Sequence, residues 1–216
     1  MYGLGYDSVS DDYRVVMISH KIPGIEPGCI EMFVDVYSVG NGTWKRVDSS
    51  PYNHTISDFE AGVFVDGSIH WLARKTTDES CVIAVFNLRE EKFRELPLPS
   101  LVDKYVVGDF DDEVEDLVFD KLAGLGGYLC GYLEFLDNCQ SIDAWMMKKY
   151  GVQESWTKIF VNDDPYSSFR PICLYKKKQM VLLMHEDNID EKLAIYNSED
   201  GTLKDIELMA FQVVLV

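Results

Sequence analysis

Residues 34–47 read Val34-Asp35-Val36-Tyr37-Ser38-Val39-Gly40-Asn41-Gly42-Thr43-Trp44-Lys45-Arg46-Val47. A quartet that ends in an aromatic residue leads through a polar turn to a second bulky residue and then to an aliphatic one. This pattern occurs in four copies. The quartets are residues 34–37, 83–86, 142–145 and 193–196, the second bulky residues are Trp44, Phe93, Trp156 and Leu203, and the trailing aliphatics are Val47, Leu96, Ile159 and Ile206.

The spacing of the copies predicts the fold. Six residues separate the two bulky positions in three copies, and an insertion around Tyr150-Gly151-Val152-Gln153 widens the gap to ten in the third. The aromatic residue advances by 49, 59 and 51 positions between copies. Short strands repeated about every 50 residues are typical of β-propeller blades. We therefore expect an all-β β-propeller, incomplete, with about four blades of four antiparallel strands. The bulky pair separated by six residues, together with the double glycine Gly126-Gly127, resembles a degenerate kelch repeat, which implies a kelch-like propeller.

The pattern also predicts the internal organisation. We expect a single domain over residues 1–216, with units at approximately 1–50, 60–100, 117–162 and 170–208. No useful stretch repeats with a period of 3.6 residues, so helix content should be very low. The dipeptide Asp66-Gly67 predicts a two-residue hairpin with positive φ. Because a strand alternates its faces, the bulky residues should fill the wedges between blades, and Trp44, Trp145 and Trp156 are predicted core residues.

Composition and charge exclude several classes of protein. Lys and Arg total 20 while Asp and Glu total 37, a net charge of −17, which disfavours nucleic acid and anionic membrane as partners. No apolar run approaches the roughly 20 residues of a membrane span. The five cysteines form no Cys-x-x-Cys pair and no histidine lies near them in sequence, so neither a metal site nor a cofactor is expected. Reduced thiols favour a cytoplasmic or nuclear location.

Several longer strings match a known family. They read Gly3-Leu4-Gly5-Tyr6-Asp7-Ser8-Val9-Ser10-Asp11-Asp12-Tyr13-Arg14-Val15-Val16, then Val36-Tyr37-Ser38 through Trp44, then Gly67-Ser68-Ile69-His70-Trp71-Leu72, and Ala144-Trp145-Met146-Met147-Lys148-Lys149-Tyr150-Gly151-Val152 with Glu154-Ser155-Trp156. In these strings the chain resembles the plant F-box-associated domain, the C-terminal part of many plant F-box proteins. The resemblance runs through all four units.

The resemblance implies a function in protein turnover. In that family an N-terminal F-box docks a Skp-type adaptor, and through it a cullin, in an SCF-type ubiquitin ligase. The associated domain holds the target protein that is to be ubiquitinated. No F-box precedes Met1, and the family's usual first blade is missing as well. We therefore expect this chain to capture a target without reaching the ligase on its own.

The most conspicuous polar feature is an acidic stretch between the second and third units. Residues 109–120 carry seven acidic side chains. Long loops between blades emerge on a propeller face, where partners dock. Exposed ion pairs contribute only about 0–1 kcal/mol each, so the stretch would tune the rate of encounter with a basic partner more than affinity. A solvated, partly disordered loop is the alternative. The candidate residues are Asp109, Asp111, Asp112, Glu113, Glu115 and Asp116.

Affinity would come from exposed side chains in the neighbouring loops, because interface hot spots favour Tyr, Trp and Arg. Six residues after units one, two and three are the candidates for this role. They are Tyr52, His54, Tyr105, Tyr166, Phe169 and Arg170.

Catalysis has little support in the sequence. The chain has no Gly-x-Ser-x-Gly elbow, no phosphate-binding Gly-x-x-x-x-Gly-Lys and no His-Glu-x-x-His motif, so no catalytic residue is predicted. Two alternatives to a binding module stay open: a propeller hydrolase with carboxylates in the central channel, and a truncated, non-functional remnant. Two acids from different units about 5–10 Å apart in one pocket would favour the hydrolase.

Overall fold

Within the residues that it describes, the computed structural model consists almost entirely of β-strands. These residues are 1–21, 31–54, 61–99, 105–107, 115–117, 121–132, 142–162, 167–176, 178–186 and 190–206. The only helix in this part of the chain is one 3₁₀ turn, Gln153–Ser155, so the prediction of very low helix content is confirmed.

Four sets of four strands form the blades. Blade 1 contains β1 (Tyr2–Asp7), β2 (Asp12–Lys21), β3 (Glu31–Ser38) and β4 (Thr43–Val47). After the short β5 (Tyr52–Asn53), blade 2 contains β6 (Ala61–Val65), β7 (Ser68–Lys75), β8 (Cys81–Asn87) and β9 (Lys92–Leu96). The pair β10 (Tyr105–Val107) and β11 (Glu115–Leu117) comes next. Blade 3 contains β12 (Lys121–Leu125), β13 (Tyr128–Tyr132), β14 (Ile142–Met147) and β15 (Trp156–Asn162), and blade 4 contains β16 (Ser167–Lys176), β17 (Gln179–Glu186), β18 (Asp190–Asn197) and β19 (Thr202–Ile206).

The strands of each blade pair in sequence order and antiparallel, as expected for propeller blades. Blades 3 and 4 are separate four-stranded sheets, whereas blades 1 and 2 are joined into one. The joint is a short parallel pairing of β1 with β6, in which Gly3 lies opposite Gly62. The predicted all-β, kelch-like, incomplete β-propeller is confirmed.

Each apolar core lies between two successive blades. Val16, Val34 and Val36 of blade 1 pack against Ile69 and Trp71 of blade 2. The opposite face of blade 2 packs against blade 3, and blade 3 in turn packs against blade 4. The alternation of a strand explains this arrangement, since neighbouring residues of β7 and β8 point to opposite sides and both sides of the blade are covered.

The bulky columns fill the wedges in blades 2 and 3, whereas in blade 4 the second bulky residue, Leu203, is 43% exposed. Phe86 is fully buried against blade 1, and Trp156 is 7% exposed between blades 2 and 3, while Trp145 is partly buried there. Trp44 is 54% exposed, so its predicted place in the core is wrong. It stacks on Tyr37 at 5.0 Å between ring centroids. The reason is that their side of blade 1 is not covered by another sheet in the described part of the chain.

Glycines let the inner strands of blades 1 and 2 approach each other closely. A Cβ atom on Gly62 would lie 2.4 Å from both Ile69 Cγ2 and Trp71 Cε2, and one on Gly3 would lie 2.5 Å from Ile69 Cγ2. The two glycines thus form a flat platform on which the Ile69 and Trp71 side chains rest. The indole of Trp71 also donates a hydrogen bond to the Tyr2 carbonyl at 3.3 Å.

The insertion in the third copy of the repeat, together with Trp156, forms hydrogen bonds that join blade 3 to blade 2. Gln153 Nε2 donates to the Leu98 carbonyl at 2.8 Å, and Trp156 Nε1 donates to the Pro97 carbonyl at 2.9 Å. The hydroxyl of Tyr150 lies 2.7 Å from Nε2 of His70, a fully buried residue of β7. The four additional residues therefore contribute polar contacts between sheets that otherwise meet through apolar side chains.

The antiparallel order gives the molecule two distinct faces. One side of the molecule carries the turns that join the first strand to the second and the third to the fourth in every blade. We call this side the turn face. The predicted Asp66-Gly67 hairpin is one of them, with φ of 49° and 68°. The connections from the second to the third strand of each blade, and from one blade to the next, start and end on the opposite side, which we call the connection face.

Candidate functional site

A hairpin that the sequence did not predict follows blade 2 in the chain and contains two of the predicted acidic residues, Glu115 and Asp116. Strands β10 and β11 pair antiparallel, with Val107 opposite Glu115 and Val106 opposite Asp116. The predicted contact residue Tyr105 begins this ladder, opposite Leu117. Five predicted contact residues lie outside the described residues: Asp109, Asp111, Asp112, Glu113 and Tyr166.

Three of the predicted contact residues are buried, and the expectation that they are exposed is wrong. Tyr52 is 8% exposed, His54 is 3% exposed and Phe169 is completely buried. Tyr52 belongs to β5, which pairs with β7 of the following blade, so this connection extends a sheet and does not project from it. Phe169 belongs to β16, which begins before residue 170, and its ring packs on Phe160 at 4.2 Å between centroids.

Arg170 is exposed and lines a cleft on the connection face. This cleft of about 590 Å³ lies between the inner strands β6, β12 and β16, and we call it the channel cleft. Ala61, Gly62 and Gly124 leave room on one side of it. Lys121, at the start of β12, and Arg170 line it together with Tyr132 and with Ile172, which is 44% exposed.

The charge of the channel cleft is opposite to that of the chain as a whole. The residues that line it, within the described ranges, include two cations and no acid, in a chain with a net charge of −17. Arg170 forms no ion pair with any described residue. This lining can bind a carboxylate or another anionic group beside an apolar side chain. It does not supply the pair of carboxylates that the hydrolase alternative requires.

A directed chain of hydrogen bonds supports one wall of the cleft. His70 Nδ1 donates to the carbonyl of Val63, a lining residue, at 2.9 Å. A neutral imidazole with this tautomer accepts at Nε2, and the Tyr150 hydroxyl donates to it at 2.7 Å. Arg94 donates in turn to the Tyr150 oxygen at 3.1 Å. Burial lowers the pKa of His70 to about 4, so the imidazole is neutral at neutral pH.

Arg170 was among the contact residues predicted from the sequence, whereas Lys121 and the supporting residues were not. Lys121 is a single lysine in the sequence just after the acidic stretch. Only its positive charge in an acidic chain could have drawn attention to it. His70 and Tyr150 were noticed solely as parts of longer strings. The insertion that contains Tyr150 was the available signal, because an insertion in one copy of a repeat often serves a contact of its own.

The described residues hold no group of three or more His, Cys, Asp or Glu side chains arranged to bind a metal ion. Among the same residues, none of the helical structure is long and apolar enough to cross a membrane.

Comparison with known proteins identifies the family. The F-box associated beta propeller domain matches residues 1–214. F-box protein CPR1 of Arabidopsis thaliana is 34% identical over 201 residues, which cover 84% of this chain and 46% of that protein. F-box/kelch-repeat protein At3g23880 of the same plant is 26% identical over 203 residues, 93% of this chain and 49% of its own length. Among solved structures, TolB from Acinetobacter baumannii aligns over 95% of this chain and 43% of its own, at 12% identity and a TM-score of 0.48.

The chain thus spans about half the length of the curated relatives it matches. The match extends over all four blades, and the relatives are F-box proteins by name. The resemblance predicted from the sequence strings is confirmed, and this chain belongs to the F-box associated β-propeller domain family.

Proposed function

We propose that this chain is the part of an SCF-type ubiquitin ligase adaptor that captures the protein to be ubiquitinated. The observation that carries the proposal is the family match over residues 1–214, which extends over all four blades of the propeller. Skp-type and cullin subunits would be reached through an F-box. The thiols of Cys130 and Cys173 are free, which supports action in the cytoplasm or nucleus.

The target is proposed to bind the connection face, with Arg170 at the centre of the contact. An exposed arginine beside an exposed aliphatic residue and a concave opening is the kind of group that becomes a hot spot when a partner excludes water from it. Arg170, Ile172 and Tyr132 provide this combination at the channel cleft. We propose that the acidic stretch takes part in the same contact, where it would attract a basic region of the target during encounter.

Reversing the charge of Arg170 is expected to abolish most target capture. We predict that Arg170→Glu lowers the recovery of the target about tenfold or more, since the loss of a hot-spot arginine typically costs 2 kcal/mol or more. The measurement is affinity capture with an F-box-bearing form of the protein under proteasome inhibition, followed by mass spectrometry. Arg89→Glu, the same charge change on the turn face of blade 2, is the matched control. Equal recovery by both variants would remove the channel cleft from the interface.

Neutralising the acidic stretch is expected to slow association without weakening the complex by much. The variant carries Asp111→Asn, Asp112→Asn, Glu113→Gln and Glu115→Gln. We predict a slower association rate at low salt and a nearly unchanged dissociation rate, because exposed charges act mainly on encounter. Surface plasmon resonance with the captured target measures both rates. An association rate that stays the same at low salt contradicts a role for this stretch.

A further inference from the structure

A second concave feature lies on the turn face, away from the proposed target site. It is a groove of about 650 Å³ between blades 3 and 4, lined by turns of both blades. Tyr128 follows the first turn of blade 3, and Lys148 follows β14. Lys178 and Glu199 come from the two turns of blade 4. We call it the turn-face groove, and its contacts involve neither the channel cleft nor the acidic stretch.

The floor of the groove is apolar and partly adaptable. Met146 and Met180, 6% and 4% exposed, lie at its base with Ile159 and Leu174 beside them. Methionine side chains are flexible and polarisable, so they can fit around bulky groups of different shapes. Tyr196 is fixed more firmly, because its ring packs edge-on against Phe160 at 4.6 Å between centroids.

The backbone of blade 3 brings one wall of the groove close to blade 4. Gly126 has a φ of 57°, and a Cβ atom at this position would lie 2.9 Å from Leu174 Cδ1. Glycine therefore permits both the turn and the close approach. Tyr128, two residues after Gly126, is 41% exposed at the rim, where its ring can cover a bound side chain.

The rim of the groove carries two lysines and one acid, Glu199, so its net charge is positive although the protein is strongly acidic. Lys148 and Lys178 line the groove from opposite blades, and the exposed side chains of Lys149 and Lys176 extend the basic region on either side. Lys178 is paired with Glu199, while Lys148 forms no ion pair with a described residue. With a net charge of −17 the protein repels acidic ligands over most of its surface. An acidic ligand should therefore bind preferentially where these lysines are concentrated.

We propose that the turn-face groove binds an extended acidic segment of a protein partner. One bulky apolar side chain of the segment enters between Met146 and Met180, and carboxylates on either side of it contact Lys148 and Lys178. The apolar floor supplies affinity, while the lysine rim fixes the charge and the direction of the peptide. This proposal does not rest on the function of the connection face, since the two sites share no residue.

Selection from a random octapeptide library displayed on messenger RNA tests the proposal, with the purified chain as immobilised bait. We expect enriched sequences with a Leu, Met or Phe residue flanked by Asp or Glu. A synthetic peptide of the consensus is then titrated by fluorescence polarisation. The double variant Lys148→Glu with Lys178→Glu should bind it at least about tenfold more weakly, and Tyr128→Ala should also weaken it. All three residues are exposed at the rim, so these variants should fold normally.

The matched control is Arg89→Glu with Lys92→Glu, which makes the same charge change on the turn face of blade 2. It should bind the consensus peptide as the unmodified chain does. Enrichment of basic or uncharged sequences would overturn the proposal, as would the absence of any enrichment. Equal weakening by the control pair would show that binding follows the net charge and not the groove, and would overturn it too.

Discussion

Lowering the pH from neutral to about 4 is expected to remove roughly 6 kcal/mol from the free energy of unfolding. Two buried histidines cause this loss, because burial lowers the pKa of both His54 and His70 to about 4. In the unfolded chain an imidazole titrates near 6.5, so below that pH the unfolded state binds protons that the folded state does not. Each histidine contributes about 3 kcal/mol, which is fully present above about pH 6.5 and lost as the pH falls toward 4.

The surroundings of the two side chains explain why the folded state resists protonation. His70 is completely buried and already uses both ring nitrogens, one toward the Val63 carbonyl and one toward the Tyr150 hydroxyl. His54 is 3% exposed between the rings of Trp71 and Phe93, with its Nε2 atom 2.7 Å from Ser50 Oγ. A charged imidazole in either place would lose its hydration without gaining a carboxylate partner among the described residues.

Urea unfolding followed by tryptophan fluorescence, repeated between about pH 4.5 and 7.5, measures this dependence. His54→Gln and His70→Gln should each remove about half of it, whatever their cost at neutral pH. Tyr128→Phe is the control, since it removes an exposed hydroxyl that contacts neither imidazole, and it should retain the full slope. Hydrogen bonds lower the pKa of the Asp7 and Asp12 carboxyls, so their contributions are lost only below about pH 4, outside this window. An unchanged slope in both histidine variants would contradict the assignment.

Replacing Trp71 by alanine is expected to cost about 3–5 kcal/mol, the usual loss for a large buried aromatic residue. Trp71 is 2% exposed and rests on the Gly3–Gly62 platform, with Ile69 beside it. Its removal would leave a cavity at the junction of blades 1 and 2 and free the Tyr2 carbonyl from its hydrogen bond. Such a loss is a large share of a typical domain's stability of about 5–15 kcal/mol.

The matched control is Trp44→Ala, because Trp44 is 54% exposed and its loss should cost about 1 kcal/mol or less. A double-mutant cycle with Gly62→Ala tests the platform directly. The added methyl group should cost about 1–3 kcal/mol beside the indole, and less once the indole is gone. Equal losses for the two tryptophans, or a Gly62→Ala cost that is independent of Trp71, would contradict this packing.

Local patterns predicted the strands and the family, and they failed where burial depends on distant parts of the chain. The quartets and the Asp66-Gly67 turn carry their own geometry, since alternation and positive φ are properties of a few consecutive residues. Trp44 has the same local pattern as Phe93 and Trp156, but its exposure depends on whether another sheet lies against blade 1. No stretch of sequence around residue 44 contains that information.

The candidate site was predictable only in part, for a similar reason. Arg170 was found because exposed arginines after a blade are typical of interfaces, whereas Phe169 next to it points into the core. A one-residue difference decides between the two faces of a strand, and the start of β16 could not be placed that accurately from the sequence. Lys121 and Arg170 lie 49 residues apart and meet only because two inner strands are neighbours.

The parallel pairing of β1 with β6 makes blades 1 and 2 one cooperative unit. Opening blade 1 would break main-chain hydrogen bonds to its neighbour as well as a shared core, so partial unfolding should rarely begin at this junction. The boundaries that follow depend on side chains, within the described residues, and can open or slide at lower cost. Both proposed binding sites extend across those boundaries, so a partner bound at either site would contact blades that are held to one another by side chains.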